Sequence, residues 1–139
     1  MNKKANFAMK VLALDLGDVW IGTAISDALK MLAKPYKTIK APELFTFLTE
    51  ILAKEPIDTI VVGYPRTMKG TESAQTKKVL EQKELIKQKF SNIKIILWDE
   101  RLSSKTARTI QGKKARTDGQ NEHSIAAAVI LQTYLQFLS

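Results

Sequence analysis

The apolar positions of this chain fall into short, nearly continuous runs separated by helical patterns and polar breaks. Residues 10–17 (KVLALDLG) and 20–27 (WIGTAISD) are two apolar runs joined by a tight glycine-containing connection, which predicts a β-hairpin. Residues 36–40 (YKTIK), after Pro35, predict a third short strand. Between Pro42 and Pro56, Leu44, Phe45, Leu48, Ile51 and Leu52 recur at helical spacing, and the prolines mark the start and the stop. Residues 57–63 (IDTIVVG) and 92–100 (NIKIILWDE) are apolar enough to be strands buried on both faces. A charged helix is expected over 73–90, a short serine-capped helix over 103–111, and a strongly apolar helix over 122–138. Ile125, Val129, Ile130 and Leu131 are expected to carry most of that last helix's packing surface. Residues 64–73 and 112–120 read as loops, the second basic and bounded by glycines.

The resulting order is β-β-β-α-β-α-β-α-α. An α/β fold is expected, with residues 1–139 as a single domain. Its first three strands should be antiparallel, and the βαβ crossovers after them parallel and right-handed. One residue breaks the apolar pattern. Asp15 stands inside the first strand run, where a lone carboxylate is costly unless it is paired or binds a cation. Asp99 and Glu100 end the last strand run. Crossovers bring such strand ends to one edge of a sheet, where open α/β folds place their sites. Strands lie about 4.8 Å apart, so acids separated by one intervening strand can still share an ion. Hard oxygen donors of this kind select Mg²⁺ or Mn²⁺. Paired ions of that type are a usual apparatus for in-line phosphodiester cleavage.

Charge sharpens this picture. Lys and Arg number 22 against 14 acidic residues, a net charge of +8, which suits a polyanionic partner such as nucleic acid. The absence of cysteine excludes disulfides and thiolate metal sites and fits a cytoplasmic protein. No apolar run approaches the ~20 residues of a membrane span, so no membrane association is expected. The basic and then apolar N-terminus lacks a small-residue cleavage site, so it does not read as a signal peptide.

Four blocks together carry a family resemblance: LALDLGDVWIGTAISD, IVVGYPRTMKGTESAQ, WDERLSSKTA and SIAAAVILQTYL. In combination they resemble the signature blocks of the YqgF/RuvX family, over about Lys10 to Leu135. These are small RuvC-like proteins with an RNase H-like fold, described as Holliday junction resolvases and as pre-16S rRNA nucleases. The resemblance implies an RNase H-like mixed five-stranded sheet with helices on both faces. It matches Asp15 to the family's first catalytic acid and Glu100 to its second, and it sets Arg101 to meet phosphate. The third acid of the family opens the last helix; here His123 stands there. Histidine can bind a metal or act as a base, but it lacks the carboxylate's charge. Glu122 and Asp118 are the nearby carboxylates that could supply the missing oxygen. The hairpin turn departs as well: Asp18, Val19 and Trp20 replace the basic residues common after the family's glycine.

The leading expectation is therefore a metal-dependent endonuclease acting on structured RNA or branched DNA. Asp15, Glu100 and His123 would be both catalytic residues and metal ligands. Arg66, Lys69, Arg101, Lys113, Lys114 and Arg116 would grip the nucleic-acid backbone. Processing of the pre-16S rRNA 5′ end is the first candidate reaction, and junction cleavage the alternative, by a monomer or weak homodimer. A protein that binds nucleic acid without cutting it is the second alternative, because His123 replaces an acid. A strand-DLG-strand hairpin also occurs in actin-like ATP binders, but 139 residues leave no room for their two clasping domains.

Overall fold

The computed structural model describes residues 8–64, 74–100 and 119–139, with the side chains of the last stretch from Glu122 onward. Strands β1 (Lys10–Leu16) and β2 (Trp20–Ser26) form the expected hairpin, with Asp15 opposite Gly22 and Leu16 opposite Ile21. Strand β3 (Ala33–Lys40) returns antiparallel along β2. A 3-10 turn (Ala41–Glu43) leads into α1 (Leu44–Lys54), β4 (Ile57–Tyr64), α2 (Ala74–Lys89), β5 (Lys94–Asp99) and α3 (Gly119–Leu138). The sheet runs β3-β2-β1-β4-β5, with β4 parallel to β1 and β5 parallel to β4.

Alternation along the strands divides the core in two. Leu12, Leu14 and Leu16 of β1 and Ile60 and Val62 of β4 pack with Leu44, Phe47, Leu48 and Ile51 of α1 and Val79 and Ile86 of α2. Val11 and Ala13 of β1, Ala24 of β2 and Val61 of β4 pack on the opposite face with Ala127, Ala128, Ile130, Leu131, Tyr134 and Leu135 of α3. Helices therefore cover both faces, as expected. Full burial of Ile60, Val61 and Val62 accounts for the unbroken apolar run at the centre of β4.

Five expectations need correction. The strand expected over 92–100 is β5, which ends the sheet, so its side chains are only partly buried rather than buried on both faces. The third strand starts at Ala33 rather than after Pro35, and Pro35 lies within it opposite Ala24. β3 is an edge strand, so the missing N–H of proline removes no ladder bond on its open side. The first helix begins at Leu44, after the 3-10 turn, and buries Phe47, whereas Phe45 and Leu52 are only partly buried. α3 starts at Gly119, earlier than residue 122. Its sheet-facing surface is built from Ala127, Ala128, Tyr134 and Leu135 as much as from Ile130 and Leu131, while Ile125 is half-buried. Alanines let the helix axis approach the sheet, so the larger residues nearer the C-terminus do the filling. The helix expected over 103–111 lies outside the described residues.

The polar pair at the end of the Asp15 block, Ser26 and Asp27, has a structural task. Ser26 Oγ accepts the Val11 N–H at 2.8 Å. Asp27 Oδ1 accepts the N–H groups of Met31 at 2.8 Å and Leu32 at 2.9 Å, closing the turn to β3. Lys30 in that turn has φ 57°, a left-handed conformation that costs a residue with a Cβ about 1–2 kcal/mol and that the turn's hydrogen bonds hold in place. Those two N–H donors hold the Asp27 carboxyl below its ordinary range. No helix among the described residues is long and apolar enough to cross a membrane.

Candidate active site

Asp15 is the fifth side chain after the start of β1 and follows Val11 and Ala13 onto the α3 face. Directly across from it on β2 is Gly22. A Cβ at Gly22 would run into the backbone carbonyl of His123 and lie 2.8 Å from the Ser124 nitrogen. The first turn of α3 thus rests on the bare backbone of β2, beside Asp15. Only glycine permits so close an approach of helix to strand. His123 itself is half-buried, Ser124 is buried and Glu122 is exposed.

On the other side of Asp15 runs β4. Its register with β1 ends at Leu14 opposite Val62, one residue before Asp15 and Gly63. Gly63 pairs in turn with Trp98 of β5, and Tyr64 with Asp99. Glu100 follows immediately and folds back over β4. A Cβ at Gly63 would lie 3.0 Å from Glu100 Oε1 and 2.7 Å from Ile130 Cδ1. The Glu100 carboxylate therefore stands above Gly63, on the same face and at the same sheet edge as Asp15. Two strand-interior glycines, Gly22 and Gly63, flank the acid and make room for what converges on it. Glycine inside a strand signals such close approach, and both positions were readable as strand residues before their role was.

The hairpin beside this cluster is braced from several sides. The Gly17 N–H donates to Trp20 O at 3.1 Å and the Ala41 N–H donates to Val19 O at 2.9 Å. The Gln75 side-chain amide donates to Leu16 O at 3.0 Å. Lys78 pairs with Asp18 at 3.0 Å, on an exposed surface where the pair contributes little to stability. These ties hold the end of β1 against both the 3-10 turn and α2.

As to a metal, the two carboxylates are suitable hard donors, and the sheet edge gives them a common direction. Among the described residues, no group of three or more His, Cys, Asp or Glu side chains is gathered tightly enough to hold an ion. Arg66, Lys69, Arg101, Lys113, Lys114, Arg116 and Asp118 lie outside the described residues.

The sheet order and the acids at its edge can be set against known proteins. A family model described as Holliday junction resolvase, RuvX, matches residues 9–137. The chain belongs to the RuvX family. Membership places it among the nucleases. A relative from Rubrobacter xylanophilus named "Putative pre-16S rRNA nuclease" is 34% identical over 131 residues, covering 91% of this chain and 92% of that protein. A Clostridium botulinum protein of the same name is 41% identical over 142 residues, covering 94% and 99%. Among solved structures, Thermus thermophilus RuvC in complex with a Holliday junction substrate aligns with a TM-score of 0.60 at 14% identity, covering 93% of this chain and 96% of that one. A second T. thermophilus RuvC structure aligns at 0.61 and 10% identity. At such identities the likeness is one of fold, and it gives this RuvX-family sheet the RNase H-like architecture.

Proposed function

We propose that the chain is a divalent-metal-dependent endonuclease of structured nucleic acid, with precursor 16S rRNA as its first candidate substrate. The observation that carries this reading is the Glu100 carboxylate standing over Gly63, one strand from Asp15. Asp15 and Glu100 are the residues that would hold Mg²⁺ or Mn²⁺, with His123 beside them at the start of α3. When bound, such ions stabilise the attacking and leaving oxygens of an in-line displacement. The chain's own residues hold the acids in fixed orientation, let the first turn of α3 close onto β2 at Gly22 beside them, and neutralise phosphate. His123 completes the donor set or accepts the proton of the attacking water. Arg66, Lys69, Arg101, Lys113, Lys114 and Arg116 are assigned the backbone contacts on charge and position in the sequence. The names of the R. xylanophilus and C. botulinum relatives support the rRNA substrate. We place the enzyme in the cytoplasm, as a single domain acting as a monomer or weak homodimer.

Two other readings have an observation each. The family description and the junction-bound RuvC favour branched DNA. His123 in place of a third acid favours binding without cleavage. A precursor rRNA fragment and a four-way DNA junction, each incubated with Mg²⁺ and with Mn²⁺, separate them. The expected result is cleavage of the RNA, reduced at least a hundred-fold by Asp15→Asn, or about 2.7 kcal/mol of barrier. Equal cleavage by parent and variant removes Asp15 from the site. Binding with no cleavage by the parent, and cleavage gained by His123→Asp, supports the non-cleaving reading.

A further inference from the structure

The tip of the β1–β2 hairpin carries a feature that metal chemistry does not use. Trp20 opens β2 two residues before Gly22, so alternation sets it on the face that Asp15 and α3 share. Because Asp15 pairs with Gly22, Trp20 is its diagonal cross-strand neighbour, at about 7–8 Å between backbones. Trp20 in turn pairs with Lys40 at the end of β3, and the Lys40 ammonium stands 6.0 Å from the indole centroid. Next to them Val19 is 63% exposed, an apolar side chain at the protruding tip.

The braces described above fix this tip by hydrogen bonds to its backbone on both sides, so the half-buried Trp20 and the exposed Lys40 and Val19 are presented without a large ordering cost. Formal charges nearly cancel here. Asp18 faces Lys78, and the Glu43 carboxylate accepts the Lys40 backbone N–H at 2.9 Å. A field strong enough to collect phosphates is therefore not what this tip supplies. A rigid aromatic plane with one adjacent ammonium is what it supplies.

We propose that Trp20 and Lys40 form a subsite for an unpaired nucleotide, lying beside the Asp15–Glu100 edge. The base stacks on the indole and the Lys40 ammonium takes the neighbouring phosphate. This assignment rests on the nucleic-acid reading above and narrows it: the strand entering the site is single-stranded next to the acids. Base–aromatic stacking tolerates any base, because each has a π face, so the subsite selects for unpaired structure rather than sequence.

Binding measured in EDTA tests this without any cleavage. The full chain and its Trp20→Ala, Trp20→Phe and Lys40→Gln variants are titrated with a single-stranded oligonucleotide and with the duplex of the same sequence. Melting temperatures are recorded alongside. Trp20→Ala is expected to weaken single-strand binding about ten-fold, within the range for one lost base–aromatic stack, and by the same factor at low and high salt. Trp20→Phe should recover most of that loss. Lys40→Gln should instead lower the salt slope by about 0.7, the value for one phosphate contact on a single strand. Duplex affinity should move less than two-fold in all variants. Tryptophan fluorescence of the parent should be quenched by the single strand. The quench should vanish in Trp20→Phe, since the other tryptophan, Trp98, is tied to Thr133 through a 2.9 Å hydrogen bond.

Single-strand affinity within two-fold of the parent in a folded Trp20→Ala protein overturns the subsite. So does a quench that persists in Trp20→Phe. Should Trp20→Ala fail to fold, the Phe variant and the quench still decide. Either result leaves the nuclease reading standing if the parent binds and cuts. A parent that binds neither strand form overturns both.

Discussion

At Gly22 a single added methyl group would meet the backbone of His123, and backbone has no rotamer with which to step aside. Gly22→Ala is therefore expected to lift the first turn of α3 off β2 and to cost about 3 kcal/mol, the upper part of the range for overpacking. Urea denaturation of parent and variant measures it, and a loss below about 0.5 kcal/mol, the range of an ordinary surface change, would show that α3 approaches less closely than the structure has it. Gly63→Ala makes a useful contrast. The atoms its Cβ would meet are the ends of two side chains, Ile130 Cδ1 and Glu100 Oε1, which can rotate away. A smaller loss of stability is expected there, about 1 kcal/mol, together with a disproportionate loss of cleavage, because the atom displaced is a proposed metal-ligand oxygen. Parallel measurement of melting and of cleavage rate separates the two effects. Asp15 lies between these glycines. Its presence in an apolar run was visible in the sequence as an anomaly, while Gly22 and Gly63 were visible only as strand residues, with nothing in the sequence to show what they make room for.

Among the elements, β1, β4 and β5 were the easiest to read, because they are apolar runs with no competing period, although only β1 and β4, inside the sheet, are largely buried and β5 at its edge is partly buried. β3 was harder. Its Lys34, Lys37 and Lys40 and its internal Pro35 are what an edge strand carries, and the same residues in isolation read as a break followed by a short strand. α3 was found by its apolar content, but which of its residues face the sheet depended on how closely its alanines let it dock, a tertiary fact. The convergence of Asp15 and Glu100 followed from sheet order, with β4 alone between their strands. The place of His123 relative to them depended on Gly22 and was not derivable from spacing. The β2–β3 turn supplies a test at this scale. The N–H groups of Leu32 and Met31 stabilise ionised Asp27 and lower its folded pKa below the unfolded value. In the window between those two values the unfolded chain binds more protons, so stability falls as pH falls through it. The contribution is complete above the ordinary aspartate value of about 3.9 and disappears below the folded one. Melting of the parent and of Asp27→Asn, followed from pH 7 downward, should show a constant gap to about pH 4 that then closes, as the Wyman relation requires. A gap that widens in acid contradicts this role for Asp27.

For the molecule as a whole, the sheet collects acids at one edge while the chain carries a net charge of +8. A catalytic centre built from carboxylates repels the phosphates it has to cut, and an excess of lysine and arginine elsewhere is the simplest way to bring substrate to it. The field acts over about one Debye length, roughly 8 Å at physiological ionic strength, so it must come from residues near the path of the substrate rather than from the far side of the fold. Lys113, Lys114 and Arg116 fall in sequence between Glu100 and the first turn of α3, both of which border the candidate site, although these residues themselves lie outside the described ones. If about four cationic side chains neutralise phosphates, log K should fall against log salt with a slope of roughly −3 to −4. Replacing Lys113, Lys114 and Arg116 together by alanine removes three charges from +8 and leaves +5. If all three make contacts, the slope should flatten by about 2 to 3, and affinity should weaken by a similar factor for every sequence offered, because phosphate contacts carry no base information. The change should also differ from that of Trp20→Ala, whose loss is independent of salt. Filter binding or anisotropy at several salt concentrations gives both slopes directly. An unchanged slope in the triple variant would assign the electrostatic grip to other cations, with Lys34 and Lys37 of the exposed β3 edge next to be replaced.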